Sequence, residues 1–255
     1  MLIGKGISKK YITKKLGGDY TITTRRCVTS TNALLKEEAK RGKSEFSVLI
    51  AGRQTAGRGR LGRSFHSPDS TGIYMSILLK LDEKQNPLFI TTDAAVCLVE
   101  AIEELTGEKA QIKWVNDIYL RGKKVCGILT ERVGNYAVLG IGINVLSPRK
   151  GFPDDIKDRA GAVFDKTEKF LRERVIVKVL SKFKEIYNSS DRQKLLEKYI
   201  TCSMVIGKEI MILKEDGDEM AQVLGIDENY SLVVKKEDGE VYRLSSGDVS
   251  IKMGK

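Results

Sequence analysis

The residues with the most chemical potential fall in one stretch, Gln54-Thr55-Ala56-Gly57-Arg58-Gly59-Arg60-Leu61-Gly62-Arg63, which sets three arginines among three glycines. Glycine lets a backbone close tightly on a ligand, and guanidinium groups supply forked donors for phosphate or carboxylate. The stretch reads as an anion site. A basic surface loop and an RGR nucleic-acid patch are the other readings of the same composition. It is not a P-loop, because GxxxxGK[ST] is missing, and it does not fit the Rossmann fingerprint.

A second stretch, Lys113-Trp114-Val115-Asn116-Asp117-Ile118-Tyr119, interrupts an apolar strand with Asn-Asp before the chain returns through Lys123-Lys124-Val125-Cys126-Gly127-Ile128. Read alone, Asn116-Asp117 and Arg121-Gly122 are turns and Trp114 is a core residue. A third, Gly140-Ile141-Gly142-Ile143-Asn144, reads alone as a glycine strand packed against another backbone.

These stretches must be held by a fold that 255 residues can build: one good-sized core with a small second domain. The composition, 41% hydrophobic and 31% charged with four prolines, is that of a globular chain. The net charge of +10 suits an anionic partner such as a nucleotide, a nucleic acid or an acidic protein. Four scattered cysteines without a CxxC pair and a single histidine, His66, exclude a disulfide framework and a zinc site of ordinary spacing. Any metal is then a hard ion held by oxygen or carried by phosphate. No apolar run approaches the roughly 20 residues of a membrane span, and the N-terminal residues lack a secretion signal, so a cytoplasmic location without membrane attachment is expected.

The positioning elements follow from periodicity. Residues 1–29 show no long periodic segment, and a DNA-binding module takes about twice that length, so no specific DNA binding is expected. Ser30 to Gly42 has a capping residue in front, helix formers behind and a glycine stop. Phe46 to Gly52 is strand-like, Arg53 to Gly72 is loop, and Ile73 to Lys80 alternates as a half-buried strand. Ala94, Leu98, Ala101, Ile102 and Leu105 define an amphipathic helix from about Leu88 to Thr106. Three strands, Ala110 to Val115, Val125 to Val133 and Tyr136 to Val145, make a meander. Two helices follow, one with Ile176, Leu180, Phe183 and Tyr187 on a face and one from Arg192 to Ile200. After Cys202 come five short strands, Val205–Leu213, Met220–Ile226, Ser231–Lys235, Glu240–Leu244 and Val249–Lys252. The turns between them include Asp216-Gly217 and Asp238-Gly239, as in a small β-barrel. The expected class is α+β, a mixed β-sheet flanked by helices, with residues 1–202 and 203–255 as the two domains.

Taken in order, Ser30-Thr31-Asn32, Gln54 through Arg63, Ser67-Pro68 with Ile73-Tyr74-Met75-Ser76, Lys113 through Asp117, Lys124 with Gly127-Ile128-Leu129, and Gly140 through Asn144 resemble the catalytic domain of the biotin–protein ligases. Gly225-Ile226-Asp227 and Leu244 through Ser250 resemble that family's SH3-like terminal barrel. The resemblance implies the fold shared by biotin ligases and class II aminoacyl-tRNA synthetases. It also implies a reaction in which biotin is activated with ATP and Mg2+ to biotinyl-5'-AMP and passed to a lysine of a biotin carboxyl carrier protein.

Carried over position by position, the resemblance assigns biotin to Ser30, Thr31, Asn32, Gln54, Gly57, Arg58, Gly59, Arg60, Lys124 and Gly127. ATP falls to Arg58, Arg60, Arg63, Phe65, Lys113, Asn116, Asp117 and Asn144. Arg58, Arg60, Lys113, Asp117 and Lys124 are the expected catalytic groups, and Asp117 is the carboxylate that would orient or deprotonate the acceptor lysine. Neutral donors and acceptors suit a ureido ring, and cations suit the carboxylate and phosphates.

Three positions depart from the family pattern: Val115 replaces a usual proline, Phe65 a usual tryptophan, and Arg159-Ala160-Gly161-Ala162-Val163 only loosely matches. Adenine contacts in that last stretch go unnamed. The arginine loop is expected to be mobile until ligand orders it. A homodimer would form through an exposed sheet edge that the sequence does not single out. A lipoate–protein ligase and a non-catalytic nucleic-acid binder are the competing functions, and Ser30-Thr31-Asn32, Gln54 and Asn116-Asp117 have no purpose in the second.

Overall fold

A computed structural model describes residues 6–81, 86–213, 217–245 and 247–251. Near the N-terminus the expectation of no long periodic segment gives way to a short helix and a strand. Helix α1 (Lys9–Leu16) is capped by Ser8, whose Oγ accepts from Tyr11 N, and it buries Ile12 and Leu16. Tyr11 stacks on Phe170 at 4.6 Å, and Ser8 N donates to the buried Glu173 Oε1 at 2.8 Å. Two buried positions one turn apart among lysines make a signal too short for periodicity to register. Strand β1 (Thr21–Arg25) follows.

The Ser30-Thr31-Asn32 motif opens α2 (Thr31–Lys40), with Ser30 as the cap. Fully buried β2 (Ser47–Ala51) leads into the arginine loop, which contains one 3-10 turn at Arg60–Gly62, and then into β3 (Gly72–Lys80). The long helix α3 (Pro87–Thr106) starts where the Asn86 side chain accepts from Leu88 N and Pro87 fixes the first turn. It stops at Gly107, whose φ of 75° is the left-handed conformation of a helix end.

The expected three-strand meander has a fourth member. The turn expected at Asn116-Asp117 lies one step earlier, over Trp114, Val115 and Asn116, and Asp117 opens a strand of its own: β4 (Gln111–Lys113), β5 (Asp117–Leu120), β6 (Lys123–Val133) and β7 (Tyr136–Asn144). Helices α4 (Leu171–Tyr187) and α5 (Arg192–Cys202) complete the larger unit.

The larger sheet runs β1-β2-β3-β7-β6-β5-β4, with β1 parallel to β2 and every other pair antiparallel. One face, carrying Ile73, Met75, Ile77, Leu139, Ile141 and Ile143, shares a continuous core with Ala94, Cys97, Leu98 and Ile102 of α3 and Ile176 and Leu180 of α4. Each such fully buried aliphatic side chain contributes roughly 1.5–3 kcal/mol, so this face is the stable platform. The other face, where α2 packs Leu35 and Ala39 on Leu49, Leu78 and Val138, carries the motif residues.

The five strands expected after Cys202 form one antiparallel sheet: β8 (Glu209–Leu213), β9 (Glu219–Ile226), β10 (Leu232–Lys236), β11 (Val241–Leu244) and β12 (Asp248–Ile251), in the order β11-β10-β9-β8-β12. Asp216, Ser246 and Lys252, which belong to expected turn and strand positions, lie outside the described residues. This small sheet meets the larger unit around Trp114. The buried Trp114 Nε1 donates to Tyr230 O at 2.8 Å, and the Tyr230 ring meets Tyr199 and Phe89 edge-on at 5.1 and 5.8 Å. Tyr199 in turn donates its hydroxyl to Val115 O at 3.0 Å, within the turn that joins β4 and β5.

Candidate active site

Strand pairing turns the scattered glycines into a floor. Across β3, β7 and β6 the register sets Ser76, Gly140 and Leu129 in one row and Tyr74, Gly142 and Gly127 in the next on the same face. Each row seats one side chain. A Cβ on Gly140 would stand 2.2 Å from Asn32 Oδ1, and one on Gly142 would stand 2.5 Å from the Phe65 ring. Glycine is needed at both positions because of close approach. Phe65 therefore lies flat on the floor, edge-on to Tyr74 at 6.3 Å and in contact with Gly127 as well. Phe65 was expected among the ATP residues and Gly127 among the biotin residues, so the two expected groups meet here.

Above this floor is a cavity of about 850 Å3. Its walls include every residue expected to bind biotin or ATP: Ser30, Thr31 and Asn32 from the start of α2; Gln54, Gly57, Arg58, Gly59, Arg60, Arg63 and Phe65 from the loop; Lys113, Asn116 and Asp117 from the β4–β5 hairpin; Lys124 and Gly127 from β6; and Asn144 at the end of β7. Sequence positions more than a hundred residues apart converge on one volume.

The polar end is tied together by neutral groups. Gln54 Oε1 accepts from Thr31 N at 2.8 Å and from Thr31 Oγ1 at 3.1 Å, while Gln54 Nε2 donates to Ser67 Oγ at 3.1 Å. Ser30 Oγ is taken up in capping α2, accepting from Ala33 N at 3.4 Å. The charged end carries an ion pair of 2.6 Å between Lys124 Nζ and Asp117 Oδ1. Asn116 Nδ2 donates to Ile128 O at 2.7 Å, and Asn116 Oδ1 accepts from Arg60 Nη1 at 3.2 Å. The other Arg60 nitrogen, Nη2, donates to Gly247 O at 3.0 Å, so the loop arginine spans from the hairpin to the small sheet.

The arginine loop is a closed hook. Gly59 N donates to Arg63 O at 2.7 Å and Phe65 N to Gly57 O at 3.0 Å, with Leu61 at its tip 69% exposed and at a φ of 52°. Arg58 and Arg63 also line the cavity.

The segment from Phe152 to Ala160, which runs into the loosely matching stretch at Arg159, supplies wall residues that sequence reasoning missed. Phe152, Pro153, Ile156, Arg159 and Ala160 line the cavity beside the motif residues. Lys124 N donates to Arg159 O at 2.7 Å, Gly161 N to Lys124 O at 2.9 Å, and Asn144 Nδ2 to Gly161 O at 3.0 Å, which holds this segment against β6 and β7. The signal available was Phe152 and Ile156, two apolar residues four apart in an otherwise charged loop. His66, the single histidine, lines the same cavity.

Among the described residues no three His, Cys, Asp or Glu side chains converge on a point that could hold a metal ion. What the cavity can do is bind a small ring through neutral polar groups and bring two anionic groups together under cations.

Three comparisons bear on this site. Residues 24–146 match the model of the biotin/lipoate A/B protein ligase family. The chain is 34% identical over 238 residues to the bifunctional ligase/repressor BirA of Bacillus subtilis, covering 88% of this chain and 72% of that protein. It is 27% identical over 229 residues to a biotin–[acetyl-CoA-carboxylase] ligase of Mycobacterium tuberculosis, covering 86% and 85%. The fold is similar to a biotin protein ligase from Aquifex aeolicus solved with biotin and ATP, with a TM-score of 0.76 and 31% identity over 92% of this chain and 99% of that one.

Proposed function

The chain belongs to the biotin–protein ligases of the biotin/lipoate A/B protein ligase family, and on that premise we propose that it activates biotin with ATP and transfers it to a lysine of a biotin carboxyl carrier protein. The observation that supports this most is the shared cavity, with Thr31, Asn32 and Gln54 at a neutral end and Arg58, Lys113 and Lys124 at a cationic one. Biotin has the matching halves, a ureido ring and a carboxylate.

In the first step a biotin carboxylate oxygen bonds to the α-phosphorus of ATP, the bond to the bridging oxygen breaks, and pyrophosphate leaves. Two anions must approach, so charge neutralisation and alignment are the main work. Arg58 and Lys124 meet the carboxylate, while Lys113, Arg60 and Arg63 meet the phosphates. Each well-formed charge-assisted hydrogen bond contributes roughly 1.5–3 kcal/mol. Asn116, Asn144 and Phe65 belong to the ATP side, joined by Phe152 and Ile156 as apolar walls for the base. Mg2+ carried on the phosphates of ATP would add countercharge there, beside Lys113, Arg60 and Arg63.

In the second step the neutral acceptor amine attacks the acyl carbon, the acyl–phosphate bond breaks, AMP leaves, and the amine proton passes to Asp117. The ion pair with Lys124 holds that carboxylate at the charged end. We assign the chemistry to residues 1–202, give residues 203–255 a supporting role, and place the enzyme in the cytoplasm, where ATP and carrier proteins meet. A homodimer would use the outer edge of β1, which pairs only with β2 among the described strands.

Biotin-dependent exchange of label between pyrophosphate and ATP tests the reading. Exchange with biotin and none with lipoate is expected. Exchange with lipoate alone would move the chain to the lipoate branch, and steep salt-dependent DNA binding without exchange would favour a nucleic-acid role.

A further inference from the structure

Behind the neutral end of the cavity a hydrogen-bond chain runs from buried Ser76 and Asn32 to a half-buried carboxylate that is not among the lining residues. Lys36 Nζ lies 2.7 Å from Glu131 Oε1, and Glu131 Oε2 accepts from Asn32 Nδ2 at 2.8 Å. Asn32 Nδ2 also donates to Leu129 O at 3.1 Å. A carbonyl and an ionised carboxylate only accept, so the Asn32 amide has one allowed orientation, with Oδ1 toward β3. Gly140 leaves the space for it. Glu131 is held below the ordinary carboxylate range: burial pushes its carboxyl up, and the hydrogen bonds from Lys36 and Asn32 with the charges of Lys36 and Arg58 outweigh that.

The orientation propagates. Ser76 Oγ, fully buried, lies 2.6 Å from Asn32 Oδ1 and 2.8 Å from Thr31 Oγ1. With Asn32 presenting an acceptor, the single Ser76 proton goes to Asn32. The Thr31 proton must then go to Ser76 Oγ or to Gln54 Oε1, and either way it is used inside the protein. Thr31 is left facing the cavity as a hydroxyl that can accept from a ligand N–H. If the Asn32 amide turned over, Ser76 would donate to Thr31 instead and fill part of that acceptor capacity.

We propose that Glu131 is a positioning residue that sets the donor–acceptor sense of the Asn32–Ser76–Thr31 relay, so that the neutral end of the cavity selects a ring carrying N–H donors. The assignment rests on reading this cavity as the biotin site. Replacing Glu131 by glutamine keeps the shape but adds a donor beside Asn32, which lets the amide turn over.

The test is calorimetric binding of biotin and of its cyclic-carbamate analogue, in which one ring N–H is replaced by oxygen, to the wild-type protein and to Glu131→Gln. Wild type is expected to prefer biotin by at least about ten-fold, the scale of one hydrogen bond left unmade in a buried site. In Glu131→Gln the biotin affinity should fall about ten-fold and the preference shrink toward unity. A residue that merely supports the fold would weaken both ligands equally, and an unchanged ratio would overturn the proposal. Should Glu131→Gln fail to fold, Ser76→Ala breaks the relay at its midpoint and should also lose the preference. An unchanged preference in that variant would equally overturn the proposal. Wild type that binds neither ligand would remove the functional reading, and this assignment with it.

Discussion

At the scale of single residues, the Lys124–Asp117 pair would join the two half-reactions of the proposed mechanism. There the Lys124 ammonium would neutralise the carboxylate that attacks ATP, and its 2.6 Å partner Asp117 would take the proton of the acceptor amine. Asp117→Asn keeps the shape and removes the charge. With each half-reaction timed separately, transfer to the acceptor should slow by about 10²-fold or more, the usual scale of a lost general base. A transfer step at the wild-type rate would rule out the base role. The residues lining the cavity were legible because their motifs combine residue types that chemistry needs with an order along the chain. Phe152 and Ile156 were not, since a loop has no periodicity and two apolar residues in it look like ordinary packing. Glu131 was invisible for another reason: a glutamate in an amphipathic strand reads as surface until pairing places it beside Asn32.

At the scale of elements, the glycine rows of β6 and β7 are the device that makes the sheet a binding floor. Gly142→Ala would drive a methyl group to 2.5 Å from Phe65 and should cost roughly 1–3 kcal/mol of stability by overpacking. The same change in a Phe65→Ala background should cost much less, so a double-mutant cycle from denaturant unfolding is expected to show strong coupling, and additive effects would place Phe65 elsewhere. The arginine loop closes on itself through Gly59, Arg63, Phe65 and Gly57, and through Arg60 it reaches Asn116 and Gly247. Biotin with ATP should protect it, and cleavage after Arg58, Arg60 or Arg63 by trypsin should slow when both are present; equal cleavage with and without them would mean the loop does not respond to ligand. Long elements such as α3 could be read from the sequence because their apolar spacing persists over several turns. Helix α1 and strand β5 could not, because eight and four residues carry too few repeats, and tertiary contacts such as Ser8 to Glu173 define them instead.

For the molecule as a whole, the two sheets are joined beside the candidate site, where Trp114 sits between the cavity-lining residues Lys113 and Asn116. Trp114, the only tryptophan in the chain, is buried at the junction, bonded to Tyr230 of the small unit and two residues from Asn116. It is a native reporter of the contact. Unfolding followed by its fluorescence and by far-ultraviolet circular dichroism should give coincident curves, and separated midpoints would show that the small sheet releases independently. The second sheet was legible from the change in strand length and turn spacing after Cys202, whereas its coupling to the first through Tyr230 and Gly247 depends on contacts between distant residues that no local pattern encodes. The most direct test of the account is native mass spectrometry after incubation with biotin, ATP and Mg2+, followed by addition of a carrier domain. The account predicts that biotinyl-5'-AMP is retained on the protein and disappears as the carrier lysine gains a biotinyl group. Absence of the adenylate under conditions where both substrates bind would contradict it.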